Sequence, residues 1–330
     1  MIDLPLAFTA LMGIAILAYV VLDGYDLGVG MLMADADEHE QDVMVASIGP
    51  FWDANETWLV LGIGILLVAF PKAHGVILGA LYLPVAVMLI GLMFRGVAFE
   101  FRIKAEGWHR ELWNWLFWFG SFLASFAQGM MLGYYVTGLQ SGFGYFLFAA
   151  VVGAGLCGGY VLLGATWLVL KTEGKLQKRA LGWAKWGLLW VALGVAAVSL
   201  MTPLVSETIR GKWFDFPRTL ALMLLPAACL ALGVGVWISL RRLARGTLRA
   251  EWVPFAGSIA IFALAFAGLA YSLFPYLVMD RITIWDAAAH PSALTVVLIG
   301  ALVVVPLIIA YTVFAHRIFW GKARAGLYDH

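Results

Sequence analysis

Nine apolar runs limit what this sequence can fold into: about 4–33, 51–70, 74–99, 112–138, 143–170, 186–204, 219–240, 254–278 and 292–315. A helix needs roughly 17–25 apolar residues to cross the hydrocarbon layer, and a barrel strand only about 9–11. The runs have helical length and do not alternate, so helices are the spanning structure. Composition agrees. Of the 330 residues, 63% are hydrophobic and 12% are charged, about half the charged share of a soluble domain. We expect an all-α integral membrane protein with about nine transmembrane helices. Residues 1–330 read as a single transmembrane domain, with two four-helix groups, roughly 1–140 and 141–280, and a final helix in 281–330. The N-terminus lacks a basic leader, and the first run is too long for a signal-peptide core, so no cleavable signal is expected.

Orientation follows from Lys and Arg. Fifteen of the 21 fall after spans three, five and seven or in the C-terminal tail; five, Arg218 among them, fall on the opposite side, and Arg95 lies within span three. The positive-inside bias then places the N-terminus outside and the C-terminus in the cytoplasm. The acidic stretch Asp35 to Asp42 also falls on the cytoplasmic side, but acids weigh little in this rule. Formal net charge is only +1, which gives no reason to expect a nucleic-acid partner. Cys157 and Cys229 each lie inside an apolar run, with neither disulfide nor metal spacing.

Against this background the buried charges need an explanation. Asp23 and Asp26 fall in the cytoplasmic half of span one. Asp53 and Glu56 open span two, after the Gly49-Pro50 turn. Arg95 and Glu100 close span three. Each acidic pair is spaced i, i+3, hence on one helix face. Six ionisable groups from three consecutive spans thus share one level of the membrane. Three uses stay open on residues alone: a proton route from the cytoplasm, a structural ion-pair cluster, or a transported-cation site. Early acids in span two are also favoured by the helix dipole, and Arg95 would neutralise Asp23 or Glu100.

Histidine placement argues in the negative. His39 and His109 are in cytoplasmic loops, His74 and His290 at outer boundaries, His316 at the inner end of span nine and His330 at the C-terminus. None is mid-membrane, where axial haem ligands would sit, and no Cys/His metal box is present. Gln128 reads as interhelical glue, and Gly24 with Gly28 as a close-packing pair in span one, with Gly62 and Gly64 serving span two. Asp286 reads as a cap or first-turn acid of a short helix before span nine.

Several segments carry a resemblance: Asp23-Gly24-Tyr25-Asp26-Leu27-Gly28-Val29-Gly30, Pro50-Phe51-Trp52-Asp53-Ala54-Asn55-Glu56-Thr57-Trp58-Leu59 and Phe94-Arg95-Gly96-Val97-Ala98-Phe99-Glu100-Phe101-Arg102. Together with Gly120-Ser121-Phe122, Phe274-Pro275 and Thr283-Ile284-Trp285-Asp286-Ala287, they resemble subunit II of the cytochrome bd-type quinol oxidases, in that family's order. The compact loop between spans six and seven is similar to the cyanide-insensitive branch. The resemblance implies a bacterial inner-membrane complex that oxidises quinol and reduces oxygen to water. It implies that this chain binds no haem and that haems b and d belong to the partner subunit I. It also implies a heterodimer, with small single-span accessory subunits and a structural quinone as companions in some members. Asp53 matches the acid on a cytoplasmic proton path, joined by Asp23, Asp26 and Glu56. Trp58 matches a tryptophan at the mouth of an oxygen tunnel. Arg95 and Glu100 match an Arg/acid pair near a second polar route, with Glu here where the family also uses Asp. The alternatives are a secondary transporter, which also places acids in Gly-interrupted spans, and a purely structural assembly subunit.

Overall fold

The computed structural model describes residues 3–324 except 206 and 217. His330 lies outside the described residues, as does the side chain of Arg218. The chain folds as α1 (Leu4–Leu32), a 3-10 turn, α2 (Glu38–Ile48), α3 (Trp52–Ala69), α4 (Pro71–Arg102), α5 (Trp108–Val136) and α6 (Phe143–Lys171). There follow α7 (Gly174–Val205), α8 (Glu207–Phe214), α9 (Arg218–Leu222), α10 (Leu224–Ala244) and α11 (Trp252–Leu273). A two-stranded antiparallel hairpin, β1 (Tyr276–Val278) and β2 (Ile282–Thr283), leads into α12 (Ile284–Ala287) and α13 (Pro291–Ile318). Among the described residues nine helices are long and apolar enough to cross a membrane: α1, α3 to α7, α10, α11 and α13. All nine expected spans are therefore present. The sequence runs underestimate some lengths. α4 has 32 residues, about 48 Å at 1.5 Å per residue, so its ends project beyond a hydrocarbon layer of about 30 Å.

α1 is the hub, packed against α3, α5 and α6. Its glycines set the distance to α6. A Cβ on Gly28 would lie 1.8 Å from the Tyr160 carbonyl oxygen, and one on Gly164 would lie 2.4 Å from the Val29 nitrogen. The two backbones touch, as the small-xxx-small spacing predicts. Gly24 completes the pair by receiving the Tyr160 ring, 2.7 Å from where a Cβ would sit. In α3 only half the expectation holds: Gly62 meets Ile16, whereas Gly64 faces open space.

The acidic stretch has a partner on the same face. The Asp37 side chain and Glu40 form a capping box that starts α2. Asp42 pairs with Arg102 at 2.9 Å and with Arg110. Lys175 reaches Asp37 at 2.9 Å, and Arg179 reaches Asp35 at 3.1 Å and also Glu40. The loops after spans one, three and five are therefore clasped together on one side of the bundle. At the opposite end, Thr283 and Asp286 form the capping box of α12, as expected for Asp286. The Trp285 indole donates to Asp3 at 3.0 Å and ties α12 to the start of α1.

Replacing Gly28 by Ala should break the α1–α6 contact, because the blocking atoms are backbone and have no rotamer to change. The expected cost is at least the about 1–3 kcal/mol of an overpacked site, read as lost yield and heat stability of the membrane-extracted protein. Gly64→Ala should be near neutral in the same assay.

A pH effect follows at α2. The Glu40 backbone N–H, and after it the Lys175 ammonium, hold the Asp37 carboxyl below its usual range. A carboxyl depressed by folding stabilises the folded form above its ordinary pKa of about 3.9, and the gain is lost as pH falls through the lower folded value. Hydrogen-exchange protection of the first turn of α2 should thus hold down to about pH 4 and fall below it. Asp37→Asn should keep the cap and lose the pH dependence.

Candidate functional site

The three helices that carry the buried charges converge on one guanidinium. Arg95 of α4 is completely buried. Its Nη1 donates to Asp23 of α1 at 2.6 Å and to Glu56 of α3 at 2.8 Å, while Nη2 lies 3.8 Å from Asp26 of α1. The i, i+3 spacing on α1 brings both aspartates to the same cation. The Trp52 ring lies 5.7 Å from the guanidinium carbon, a further site of attraction for the cation. Asp23 and Asp26 are fully buried, while the Glu56 side chain is 27% exposed. Three carboxylates share one cation, and the third is half open to its surroundings.

Asn55 locks α3 to α1 beside this cluster. Its amide nitrogen donates to Asp26 at 2.8 Å and to the Tyr25 hydroxyl at 2.9 Å. Deeper along α1, Gln128 of α5 bridges two phenols. It donates to the Tyr19 hydroxyl at 2.7 Å and accepts from the Tyr160 hydroxyl at 2.7 Å. Gln128 is thus the interhelical glue that its lone polar character suggests, joining α1, α5 and α6. Tyr19, Asp23 and Asp26 follow one another at i, i+4, i+7, so a single stripe of α1 carries the polar groups from level to level.

The remaining site residues separate from the cluster. Asp53 is exposed, one turn before Glu56 on α3. Glu100 is also exposed. The expected Arg95–Glu100 pair does not form: five helical residues rotate a side chain by about 140° relative to the first, and Arg95 instead faces α1 and α3. Trp58 is buried at 4% exposure against Ala15 and Tyr19. Its indole nitrogen has no acceptor among the described residues. Asn55, Tyr19, Tyr25 and Tyr160 were not singled out from sequence. Asn55 had the strongest available signal, an amide between Asp53 and Glu56 in an otherwise apolar helix.

The geometry bears on the three uses. A cation site needs carboxylates turned toward an ion, but here Arg95 itself occupies the centre of the acids. Among the described residues no group of three or more His, Cys, Asp or Glu has a metal-holding arrangement. A buried site with more acids than bases, reached through a half-open glutamate, is suited to holding and passing protons. Arg95→Met would leave these acids without a cation. Breaking a buried pair typically costs about 3–5 kcal/mol, so this variant should accumulate poorly in membranes and unfold at lower temperature, with Arg95→Lys in between.

The comparisons with known proteins point one way. The family model for cytochrome bd terminal oxidase subunit II matches residues 4–319. The chain is 27% identical to the cytochrome bd-I ubiquinol oxidase subunit 2 of Escherichia coli K12, over 94% of this chain and 93% of that one. It is 40% identical to the cytochrome bd ubiquinol oxidase subunit 2 of Bacillus subtilis 168 over 125 residues, 37% of each chain. Its fold matches a chain of the solved bd oxidase of Geobacillus thermodenitrificans with a TM-score of 0.75 at 15% identity, covering 97% of this chain and all of that one.

Proposed function

The chain belongs to the cytochrome bd terminal oxidase subunit II family, and from that premise we propose that its buried acid cluster conducts protons into the complex. The protein is a multi-pass subunit of a bacterial inner-membrane quinol oxidase, an oxidoreductase complex that oxidises quinol and reduces oxygen. The haems are held by the partner subunit I. Family membership removes the secondary-transporter alternative.

The observation that carries the proposal is the graded access of the acids: Asp53 exposed, Glu56 half open, Asp23 and Asp26 sealed around Arg95. With the N-terminus outside, as the basic loops favour, the open end of this series faces the cytoplasm. Asp53 receives the proton, Glu56 carries it past the surface, and the acids around Arg95 hold it at depth. The fixed guanidinium keeps the acids converged while their protonation changes. On this reading the exposed face of α3, with Asp53, lies toward the haem subunit. Trp58 lines the oxygen entry beside that face, in keeping with its buried apolar setting. Glu100 serves a separate polar route at the end of α4. Small single-span accessory subunits and a structural quinone are further proposals, for which no residue of this chain is singled out.

Asp53→Asn should lower oxygen consumption per haem at least several-fold while leaving complex yield and haem spectra unchanged. Unchanged turnover in that variant would remove Asp53 from the route. A purely structural subunit would behave in the opposite way. Neutral replacement of Asp23 or Glu56 would then reduce the amount of assembled complex, with each assembled complex turning over normally.

A further inference from the structure

The polar cluster has a second branch, and it ends on a histidine. His316 sits in the last turns of α13, half-buried. Its Nδ1 lies 2.8 Å from the Thr312 carbonyl oxygen, and its Nε2 lies 3.3 Å from the Tyr25 hydroxyl. A carbonyl can only accept, so in the neutral ring Nδ1 carries the hydrogen and Nε2 is the acceptor. The Tyr25 hydroxyl therefore donates to Nε2. That hydroxyl oxygen and Asp26 Oδ2 both accept from the Asn55 amide nitrogen, at 2.9 and 2.8 Å. The two oxygens are thus no farther apart than the sum of those bonds. With the Asn55 amide as the bridge between these two oxygens, which have no hydrogen bond of their own, a line of polar groups runs from the end of α13 to the fully buried Asp26.

We propose that His316 is a second proton entry into the acid cluster, handing protons to Asp26 through the Tyr25 hydroxyl. The inference rests on the proton-route reading of that cluster. The step balances without any other reactant. A proton taken up from the cytoplasmic side binds Nε2, the free ring nitrogen, as the Tyr25 hydrogen swings off it, and the imidazolium Nε2–H then faces the Tyr25 oxygen. The Tyr25 hydrogen, released from Nε2, turns toward the Asp26 carboxylate and moves onto it once the two oxygens, bridged here by the Asn55 amide, have closed together. The Nε2 proton then moves onto the Tyr25 oxygen. His316 and Tyr25 return to their starting forms, and Asp26 has gained one proton.

Aromatic rings and a cation surround the imidazole. The ring stacks on Phe51 at 4.5 Å and meets Trp167 edge-on at 6.1 Å. From α6, Lys171 is the cation facing His316; its ammonium donates to the Phe319 carbonyl at 2.6 Å. From α1, the facing groups are Tyr25 and, through Asn55, Asp26. Phe51 and Asn55 are the contributions of the α3 segment, and Arg317 beside His316 on α13 is exposed. Among the described residues no carboxylate contacts the ring directly, so none of them traps its proton in an ion pair. Imidazole is the side chain whose charge ordinarily changes between pH 5 and 8.

The test uses the intact complex in membranes, measuring oxygen consumption per haem against pH. His316→Gln keeps a hydrogen-bonding end of similar reach but cannot carry the proton. Its turnover should match wild type near pH 6 and fall several-fold above pH 8, where protons are scarce and a collecting group matters most. Tyr25→Phe should give the same profile, and the double variant should be no slower than either single one. An unchanged profile in assembled His316→Gln or Tyr25→Phe complex overturns the proposal. So does a loss of complex with normal turnover per haem. Asp53→Asn and Asp23→Asn separate the two claims. If they slow turnover while His316→Gln does not, the entry is wrong and the cluster stands. If all leave turnover intact, the cluster reading itself has failed.

Discussion

One guanidinium holds the membrane interior of this subunit together. A carboxylate in a low-dielectric interior is costly unless it is paired and hydrogen-bonded. Arg95 meets that demand for acids from α1 and α3 at once, so α4 cannot move relative to either without exposing a charge. Around this point the other polar contacts align. Asn55 binds α3 to α1, and Gln128 binds α5 and α6 to the same stripe of α1. The apolar packing is permissive by comparison, since hydrocarbon surrounds the bundle and offers side chains much the same environment as a neighbouring helix.

Close approach of backbones makes that arrangement possible. The Gly28–Tyr160 and Gly164–Val29 contacts bring α6 against α1, so Tyr160 reaches Gln128 rather than lipid. The polar stripe of α1 is thereby walled on several sides, while Glu56, its side chain 27% exposed, and the half-buried His316 reach toward its edge. Access in a membrane protein is decided as much by such small residues as by the charges they enclose. The acidic helix α2 acts at a larger scale. It joins the loops that follow three spans and so fixes the mouth of the bundle, although each exposed ion pair contributes only about 0–1 kcal/mol.

The sequence made some of this legible. Helix number followed from the length of the apolar runs, a coarse property that tolerates errors at the ends. The acids on α1 and Arg95 stood out because hydrocarbon makes charge conspicuous. What could not be read was direction around a helix axis. On residues alone Arg95 could pair with Asp23 or Glu100, and the resemblance implied the second, but the helix turns Arg95 and Glu100 apart. Asn55, Tyr25 and His316 were not read as parts of the cluster for another reason. An amide, a phenol and a boundary imidazole are each tolerable alone near a membrane surface, and only the fold brings them into line. The helix α2 was hidden inside a short acidic connector, where the absence of apolar periodicity left no sign of it.

The order of the chain adds a demand on biogenesis. Asp23 is synthesised 72 residues before Arg95, the cation that neutralises it. Alone at the centre of a helix, an aspartate raises the cost of entering the bilayer by about 2.5–3.5 kcal/mol, and α1 carries two. The neutralising contact is therefore completed only after the third spanning helix has been made, so the earliest form of the bundle carries its acids unpaired.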